Sequence, residues 1–197
     1  MQQIILASKS PRRKELMALC GIDFIAESSD IDETKITEEI LSKGRDDKFE
    51  ELVTMLSYEK ANKKSDKYPD ALIIGSDTIV VADDRVFGKP KDEEDAYRML
   101  RYLSGKRHQV FTGICILNKK DKILFTDKTE VYFHEYDEQM EKLIRNYIKS
   151  GEPFDKAGGY GIQGAGSLFI NRIDGDFYSV MGMPVSRVFR EIDKIIR

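Results

Sequence analysis

The stretch from Ala71 to Pro90, ALIIGSDTIVVADDRVFGKP, contains the two features that decide the fold class. Its first half is an apolar run typical of a strand buried inside a sheet, with an interruption at Gly75–Thr78. Its second half predicts a hairpin that turns at Ala82–Asp84. Hairpins join antiparallel strands, whereas crossover helices join parallel ones. The stretch therefore predicts a strand within a mixed sheet.

Apolar periodicity alternates between strand and helix along the rest of the chain, which predicts an α/β protein with a mixed sheet flanked by helices. The first helix is expected from Ser10 to about Cys20, with Leu16, Leu19 and Cys20 facing inward. Residues 29–48 are polar and acidic at first and predict a loop. The other predicted elements are strands at 3–7, 22–28, 108–117 and 122–136, helices that begin at the N-caps Asp92 and Asp137, and helices that begin near Phe49 and Pro184.

Length, composition and charge restrict the class of protein. The 197 residues suffice for one large domain or two small lobes sharing a core, and 41% of them are hydrophobic. The net charge of −3 argues against a nucleic-acid partner, which usually requires a basic surplus. No apolar run approaches the roughly 20 residues of a membrane helix, and no signal-peptide pattern is present. We expect a cytoplasmic protein.

Cysteines and histidines are too few and too scattered for the familiar zinc or nucleophile chemistries. Cys20 and Cys115 have neither zinc-site nor disulfide-framework spacing, and both are expected to pack in the core. His108 and His134 are isolated, and neither HExxH nor GxSxG occurs. An enzyme with this sequence would depend on carboxylates and a metal ion for acid–base chemistry.

Two arginines stand where the first helix is expected to begin. Ser10 is a good N-cap and Pro11 suits the first helical position, so Arg12 and Arg13 fall in the first turn. The partial positive charge of a helix N-terminus disfavours a cation there by a few tenths to about 1 kcal/mol. Either both side chains bend away into solvent, or they form with Ser8 a site for an anion of several negative charges.

Three further charged residues each allow a structural and a functional interpretation. Asp77 interrupts an apolar strand at its carboxyl end, where α/β sheets usually place ligands, and either caps a turn or faces a metal ion, a cation or a reactive water. Lys60 lies on the apolar stripe of the helix that begins near Phe49, and either snorkels at its end or reaches into a cleft. Lys89, fixed between Gly88 and Pro90, is either a solvated turn residue or a phosphate ligand.

Residues 156–166, KAGGYGIQGAG, are called the glycine segment below and contain a literal GxGxxG at 159–164. A dinucleotide fingerprint must follow a strand and open a helix, whereas this segment leads into the strand-like SLFINRI. Its glycines instead favour close backbone approach to a flat or anionic ligand, to which Gln163 would present an amide. The GxxxxGK[ST] pattern of a P-loop is absent.

Six motifs occur in an order that closely resembles the Maf family of nucleotide pyrophosphatases over nearly the full length. They are LASKSPRRKEL, GSDTIVV, GKP, HQVFTG, DKAGGYGIQG and GDFYSVMGMPV. The resemblance implies one domain over 1–197, built as two lobes around an elongated mixed sheet with a central cleft, similar to inosine triphosphate pyrophosphatases. It also implies a cytoplasmic homodimer that cleaves nucleoside triphosphates between the α and β phosphates with a divalent cation.

The tetrad GIQG at 161–164 resembles the branch of the family that prefers dTTP and UTP. The resemblance assigns the catalytic carboxylate to Asp77, and roles in substrate specificity to Arg12, Thr78 and Gln163. Phosphate-binding roles fall to Ser8, Arg13, Lys60 and Lys89, and metal-binding roles to Glu33 and Asp77.

Mg²⁺ and Mn²⁺, hard ions that suit oxygen ligands, are the expected metals. Asp77 would position water for in-line attack on phosphorus, as a base or as a metal ligand. One segment, FYSVMGMPV at 177–185, departs from the usual version, which contains asparagine and leucine.

Two other classes of function remain open at the level of sequence. A non-catalytic regulator of cell division that binds nucleotide or nucleic acid is suggested by the family's association with septum formation. A Rossmann-type oxidoreductase would require NAD(P) binding. Turnover of nucleoside triphosphates distinguishes the pyrophosphatase from both.

Overall fold

The computed structural model describes residues 2–119 and 121–196, and confirms an α/β protein. The strands are β1 (Ile4–Leu6), β2 (Ile25–Ala26), β3 (Leu72–Ala82), β4 (Arg85–Phe87), β5 (Arg107–Asn118), β6 (Asp121–Phe133) and β7 (Ile170–Asp174). The helices are α1 (Pro11–Ala18), α2 (Glu33–Leu41), α3 (Lys48–Ser65), α4 (Glu93–Leu103), α5 (Glu138–Lys149), α6 (Phe177–Met181) and α7 (Val185–Ile196). Short 3₁₀ turns lie at Glu152–Asp155, Ala157–Gly159 and Gly164–Phe169.

The sheet is mixed, as the sequence predicts. Its strands lie in the order β2-β1-β3-β5-β6-β7, and β4 pairs with β3. Strand β1 is parallel to both β2 and β3. Strands β3 and β4 form an antiparallel hairpin, and β6 and β7 are also paired antiparallel. Asp83 and Asp84 form the turn of the β3–β4 hairpin with positive φ, which aspartate tolerates better than most residues.

Strand β3 is continuous through Gly75–Thr78, so the predicted interruption is wrong. Glycine is needed at position 75 because helix α3 packs closely against the strand there, and not because the strand is interrupted. A Cβ atom at Gly75 would overlap the carbonyl oxygen of Ser57, and one at Gly113 on β5 would overlap that of Val53. Helix α3 therefore lies against the backbone of two strands at two glycines.

The chain divides into two compact units, and strands β3, β5 and β6 contribute residues to both. The first unit contains the described residues up to Asp77, Thr112–Asp127 and those from Gly182 onward. Its core is mainly aliphatic, and its largest fully buried side chains include Ile5, Leu6, Leu16, Met17, Leu52, Leu72, Ile73 and Ile74. Cys115 is a free thiol in this core, as expected, whereas Cys20 is only half-buried.

The second unit contains Thr78–Phe111 and Lys128–Met181, and its core is rich in aromatic rings. Phe133 contacts Tyr160 edge-on and stacks on Phe169, which in turn meets the edge of Tyr147. Buried His108 also meets Phe133 edge-on, and its Nε2 lies 2.7 Å from the Tyr160 hydroxyl. Burial lowers the pKa of His108 from 6.5 to about 4, so the imidazole is neutral in the folded protein.

Helix caps were predicted correctly where a capping residue precedes a strong apolar stripe. Ser10 accepts a hydrogen bond from the Arg13 amide, Asp92 from that of Asp95, and Asp137 from that of Met140.

The predicted loop at 29–48 is wrong, because α2 begins there with Asp32 as its N-cap. This helix is short and mostly polar, so its periodicity is weak. In α1, Leu16 and Met17 are buried while Leu19 is exposed, contrary to the prediction. Among the described residues, no helix is long and apolar enough to cross a membrane.

We predict that Gly75→Ala lowers the free energy of unfolding by about 3 kcal/mol or more, because the new methyl group must displace the backbone of α3. Urea unfolding measures the loss. Gly88→Ala is the matched control, since open space surrounds that glycine and its φ is not positive. Equal stability of Gly75→Ala and wild type would contradict the close approach of α3 to β3.

A second prediction concerns the pH dependence of stability. Between about pH 6.5 and 4 the unfolded chain binds a proton at His108 that the folded protein does not. Stability is therefore fully present above this window and decreases by about 3 kcal/mol as the pH falls through it. Urea unfolding at several pH values should show a smaller decrease for His108→Gln than for wild type. Exposed His134 supplies the control His134→Gln, which should behave like wild type.

Candidate active site

The start of α1 is organised by two serines. Ser10 caps the helix, and its own amide donates to the hydroxyl of Ser8, which is buried just beyond β1. Pro11 occupies the first helical turn without needing an acceptor for an amide hydrogen. Arg12 and Arg13 follow directly, both half-buried. The sequence thus places two guanidinium groups at a helix N-terminus.

Arg13 does not bend away into solvent. Its Nε donates to the carbonyl oxygen of Gly182 at 2.9 Å, and the buried Ser76 hydroxyl donates to the same oxygen at 2.8 Å. Burial lowers the pKa of the Arg13 guanidinium, while the carboxylate charges of Asp77 and Glu33 oppose that shift. The solvated alternative is therefore wrong for Arg13.

Lys60 is buried on the inner face of α3, where its ammonium group meets two carboxylates. Its Nζ donates to Oδ1 of Asp77 and lies 2.8 Å from Oε1 of Glu33. The snorkelling alternative is wrong, because the charged end of the side chain points at the sheet. Asp77 is as buried as Lys60, whereas the Glu33 side chain is 56% exposed.

Asp77 lies in the middle of β3 and not at the end of a strand, which corrects the prediction. It is three residues beyond Ile74, which pairs with Leu6 at the end of the parallel ladder between β1 and β3. Beyond this point β3 continues into its hairpin with β4. Asp77 therefore marks the carboxyl end of the parallel pairing, the region where α/β sheets place ligands. It caps no turn.

The carboxylates of Glu33 and Asp77 form a donor set that fits a hard divalent cation. The part of the chain that the structure describes contains no cluster of three or more His, Cys, Asp or Glu residues able to enclose a metal. Mg²⁺ is usually held by one or two carboxylates together with substrate phosphates. The pair therefore suits an ion that arrives with a polyphosphate rather than a resident structural metal.

The remaining candidate residues belong to the second unit. Thr78 is half-buried on β3, directly after Asp77, while Lys89 and Gln163 are exposed. The amide of Gly158 donates to the carbonyl of Gly88 at 3.0 Å, so the turn of Lys89 is bonded to the glycine segment. The structure thus joins the backbones on which Lys89 and Gln163 stand.

The structure confirms the prediction that the glycine segment is no dinucleotide fingerprint. It folds into two 3₁₀ turns and leads into β7 instead of opening the helix of a βαβ unit. Gln163 precedes the second turn with extended backbone.

The six candidates in the first unit are Ser8, Arg12, Arg13, Glu33, Lys60 and Asp77. Ionic contacts join Lys60 to Asp77 and Glu33, and the charges of both carboxylates act on Arg13. Sequence reasoning missed Ser76 and Gly182: the hydroxyl of Ser76 and the guanidinium of Arg13 both donate to the Gly182 carbonyl. A serine inside a buried apolar strand was a signal for the first of them.

Comparison with known proteins shows the family to which the chain belongs. The model of the family described as "Maf-like protein" matches residues 3–195. A dTTP/UTP pyrophosphatase of Geobacillus sp. (strain WCH70) is 46% identical over 195 residues, which cover 99% of each chain. Two proteins of the same name from Bacillus cereus, strains ATCC 14579 and G9842, are each 43% identical over 98% of this chain and 95% of theirs. The chain belongs to the Maf-like protein family, and the resemblance is confirmed.

We predict that the Lys60–Asp77 pair is coupled in stability. Lys60→Met and Asp77→Asn should each cost about 3 kcal/mol, because each leaves a buried partner uncompensated. The double variant should cost clearly less than the sum of the two. Glu33→Gln, at the exposed partner, should cost no more than about 1 kcal/mol. Additive losses in urea unfolding would show that the two groups do not interact.

Proposed function

We propose that this protein is a nucleoside triphosphate pyrophosphatase that hydrolyses dTTP and UTP to the monophosphate and pyrophosphate. Full-length relatives named dTTP/UTP pyrophosphatase, 43–46% identical, support the reaction. The observation that carries the proposal is the buried Asp77 carboxylate, paired with Lys60 beside Glu33. Modified pyrimidine triphosphates are further candidate substrates, in keeping with a house-cleaning role.

The cations around Asp77 suit a triphosphate. Arg13 is held by Gly182 and Arg12 precedes it at the amide-rich start of α1, where anions are favoured. Lys60 neutralises only one of the two carboxylates that it contacts, which leaves negative charge for a divalent cation that accompanies the triphosphate. We assign phosphate binding to Ser8, Arg13, Lys60 and Lys89.

Glu33 and Asp77 are the proposed ligands of Mg²⁺ or Mn²⁺. Such an ion, when bound, supplies positive charge to the phosphate oxygens. Asp77 orients the attacking water and accepts its proton, and Lys60 holds the carboxylate in place. Polyphosphate chemistry depends mainly on such positioning and charge neutralisation.

We also propose a cytoplasmic homodimer. The family resemblance supports this assembly, and each unit carries large apolar side chains that the single chain leaves exposed, among them Leu19 and Phe189 in the first unit and Leu168 in the second. Light scattering on the purified protein measures the mass directly, and a monomer at micromolar concentration would contradict the proposal.

A panel of nucleoside triphosphates, each assayed with Mg²⁺ and with Mn²⁺ for release of pyrophosphate, tests the reaction. Wild type should cleave UTP and dTTP, and folded Asp77→Asn should be at least about a hundredfold slower. Salt-dependent DNA binding without turnover would instead favour a non-catalytic regulator. Release of inorganic phosphate alone would place the cleavage at another bond.

We predict that Gln163 selects the base. Uracil and thymine present an N–H beside carbonyl oxygens, which a glutamine amide can match with one acceptor and one donor. Cytosine lacks that N–H, so we expect a five- to hundredfold preference for UTP over CTP, on the order of one unsatisfied polar group. Gln163→Glu supplies acceptors only and should lose most activity on UTP. The test measures kcat/KM of wild type and Gln163→Glu for UTP, dTTP, CTP and GTP. A wild-type preference for GTP, or unchanged activity of Gln163→Glu on UTP, would contradict the role of Gln163 in base selection.

A further inference from the structure

The glycine segment carries the exposed Gln163 but is itself fixed by several contacts within the second unit. The Gly158 amide donates to the carbonyl of Gly88, and the Gly161 amide donates to the Tyr147 hydroxyl at 3.3 Å. A Cβ atom at Gly166 would overlap the Gly161 carbonyl, so the segment also packs on itself. Hydrogen bonds therefore hold the backbone of this segment on both sides of residue 160.

The side chain of Tyr160 provides the deepest of these contacts. Both Tyr160 and His108 are almost completely buried, and their polar atoms lie 2.7 Å apart. The ring of Phe133 meets His108 at 4.9 Å and Tyr160 at 4.8 Å between centroids, edge-on in both cases. His108 stands near the start of β5, so the contact ties the glycine segment to the sheet.

The polar contact costs stability that an apolar pair would not. Nδ1 of His108 is buried and has no hydrogen-bond partner among the described residues, and an unsatisfied buried polar group is unfavourable. The hydrogen bond between His108 and Tyr160, unlike an apolar contact, depends on the orientation of both rings. It fixes one position of the Tyr160 ring, whereas an apolar contact tolerates sliding.

Residue 160 is close enough to Gln163 for this position to matter. Three residues span at most about 10 Å of extended chain. Ile162 is buried as well, so the short chain between Tyr160 and Gln163 has little free space in which to absorb a displacement. A shift of the Tyr160 ring should therefore also move the side-chain amide of Gln163.

We propose that His108 and Tyr160 are positioning residues for base selection, which hold the glycine segment where Gln163 can read a pyrimidine. The inference rests on the proposed function. It concerns residues that touch neither the phosphates nor the reacting water. Asp77 and Lys60 belong to the other unit, so loss of the anchor should act on the choice of base more than on the chemical step.

The test compares Tyr160→Phe, which removes one hydroxyl, with wild type on UTP and CTP. The ratio of kcat/KM for UTP to that for CTP should fall roughly two- to tenfold, the scale of one lost hydrogen bond. KM for UTP should rise while kcat stays within about twofold. His108→Leu should repeat the effect, and His108→Gln, whose amide can still bond to Tyr160, should retain part of the wild-type ratio.

The control is Tyr132→Phe, which also removes one phenolic hydroxyl from the second unit but breaks only a hydrogen bond to Glu130, which Arg107 still contacts. It should leave the ratio unchanged. Hydrogen exchange provides a readout without turnover: the amides of Gly158 and Gly161 should exchange faster in Tyr160→Phe and not in Tyr132→Phe.

The outcomes separate the two proposals. An active wild type with an unchanged UTP to CTP ratio in folded Tyr160→Phe and His108→Leu overturns the positioning role. Unchanged exchange at Gly158 and Gly161 overturns the anchor itself, whether or not the protein is active. A wild type that releases no pyrophosphate from any triphosphate refutes the proposed function instead.

Discussion

The close approach of α3 to the sheet is the constraint on which the first unit depends. Glycines at positions 75 and 113 let the helix lie directly on the backbones of β3 and β5. The same approach brings Lys60, one turn beyond Ser57, to the carboxylate of Asp77, two residues beyond Gly75. A larger side chain at either glycine would lift the helix and remove the lysine from its partner. The contact between α3 and β3 thus determines both the packing of the helix on the sheet and the pairing of Lys60 with Asp77.

The positive charge of Lys60 balances only part of the negative charge around Asp77. One ammonium group faces two carboxylates, one of them buried and one largely exposed. Burying an ion pair is rarely favourable for stability alone, because desolvation offsets much of the attraction. The proposed function accounts for the arrangement, because the proposed ligand brings both negative charge and a cation. Arg13, which is held by the Gly182 carbonyl, adds a second cation whose charge interacts with both carboxylates.

Much of the fold could be predicted because local signals and packing agree. Asp92 and Asp137 precede strong apolar stripes, so both helices were predicted with their caps. Helix α2 was missed because few of its residues are apolar, and its stability depends on contact with α3. The role of Gly75 could not be seen either, since overlap with Ser57 is a contact between residues 18 apart in the chain. Family motifs point to the candidate residues, whereas the pairing of Lys60 with Asp77 depends on the close packing of α3 on β3, which no motif encodes.

The double acceptor at Gly182 has a consequence for the divergent segment at 177–185. Arg13 and Ser76 both bind a main-chain oxygen there, and a carbonyl group is present whatever side chain a residue carries. Neighbouring side chains can therefore differ from the family's usual version without changing what the arginine is bonded to. The requirement falls on backbone shape, which a φ of 125° at Gly182 makes specific to glycine. In this stretch a backbone carbonyl, and no side chain, accepts the hydrogen bond from Arg13. Neighbouring residues can therefore be substituted in evolution while the contact with Arg13 is retained.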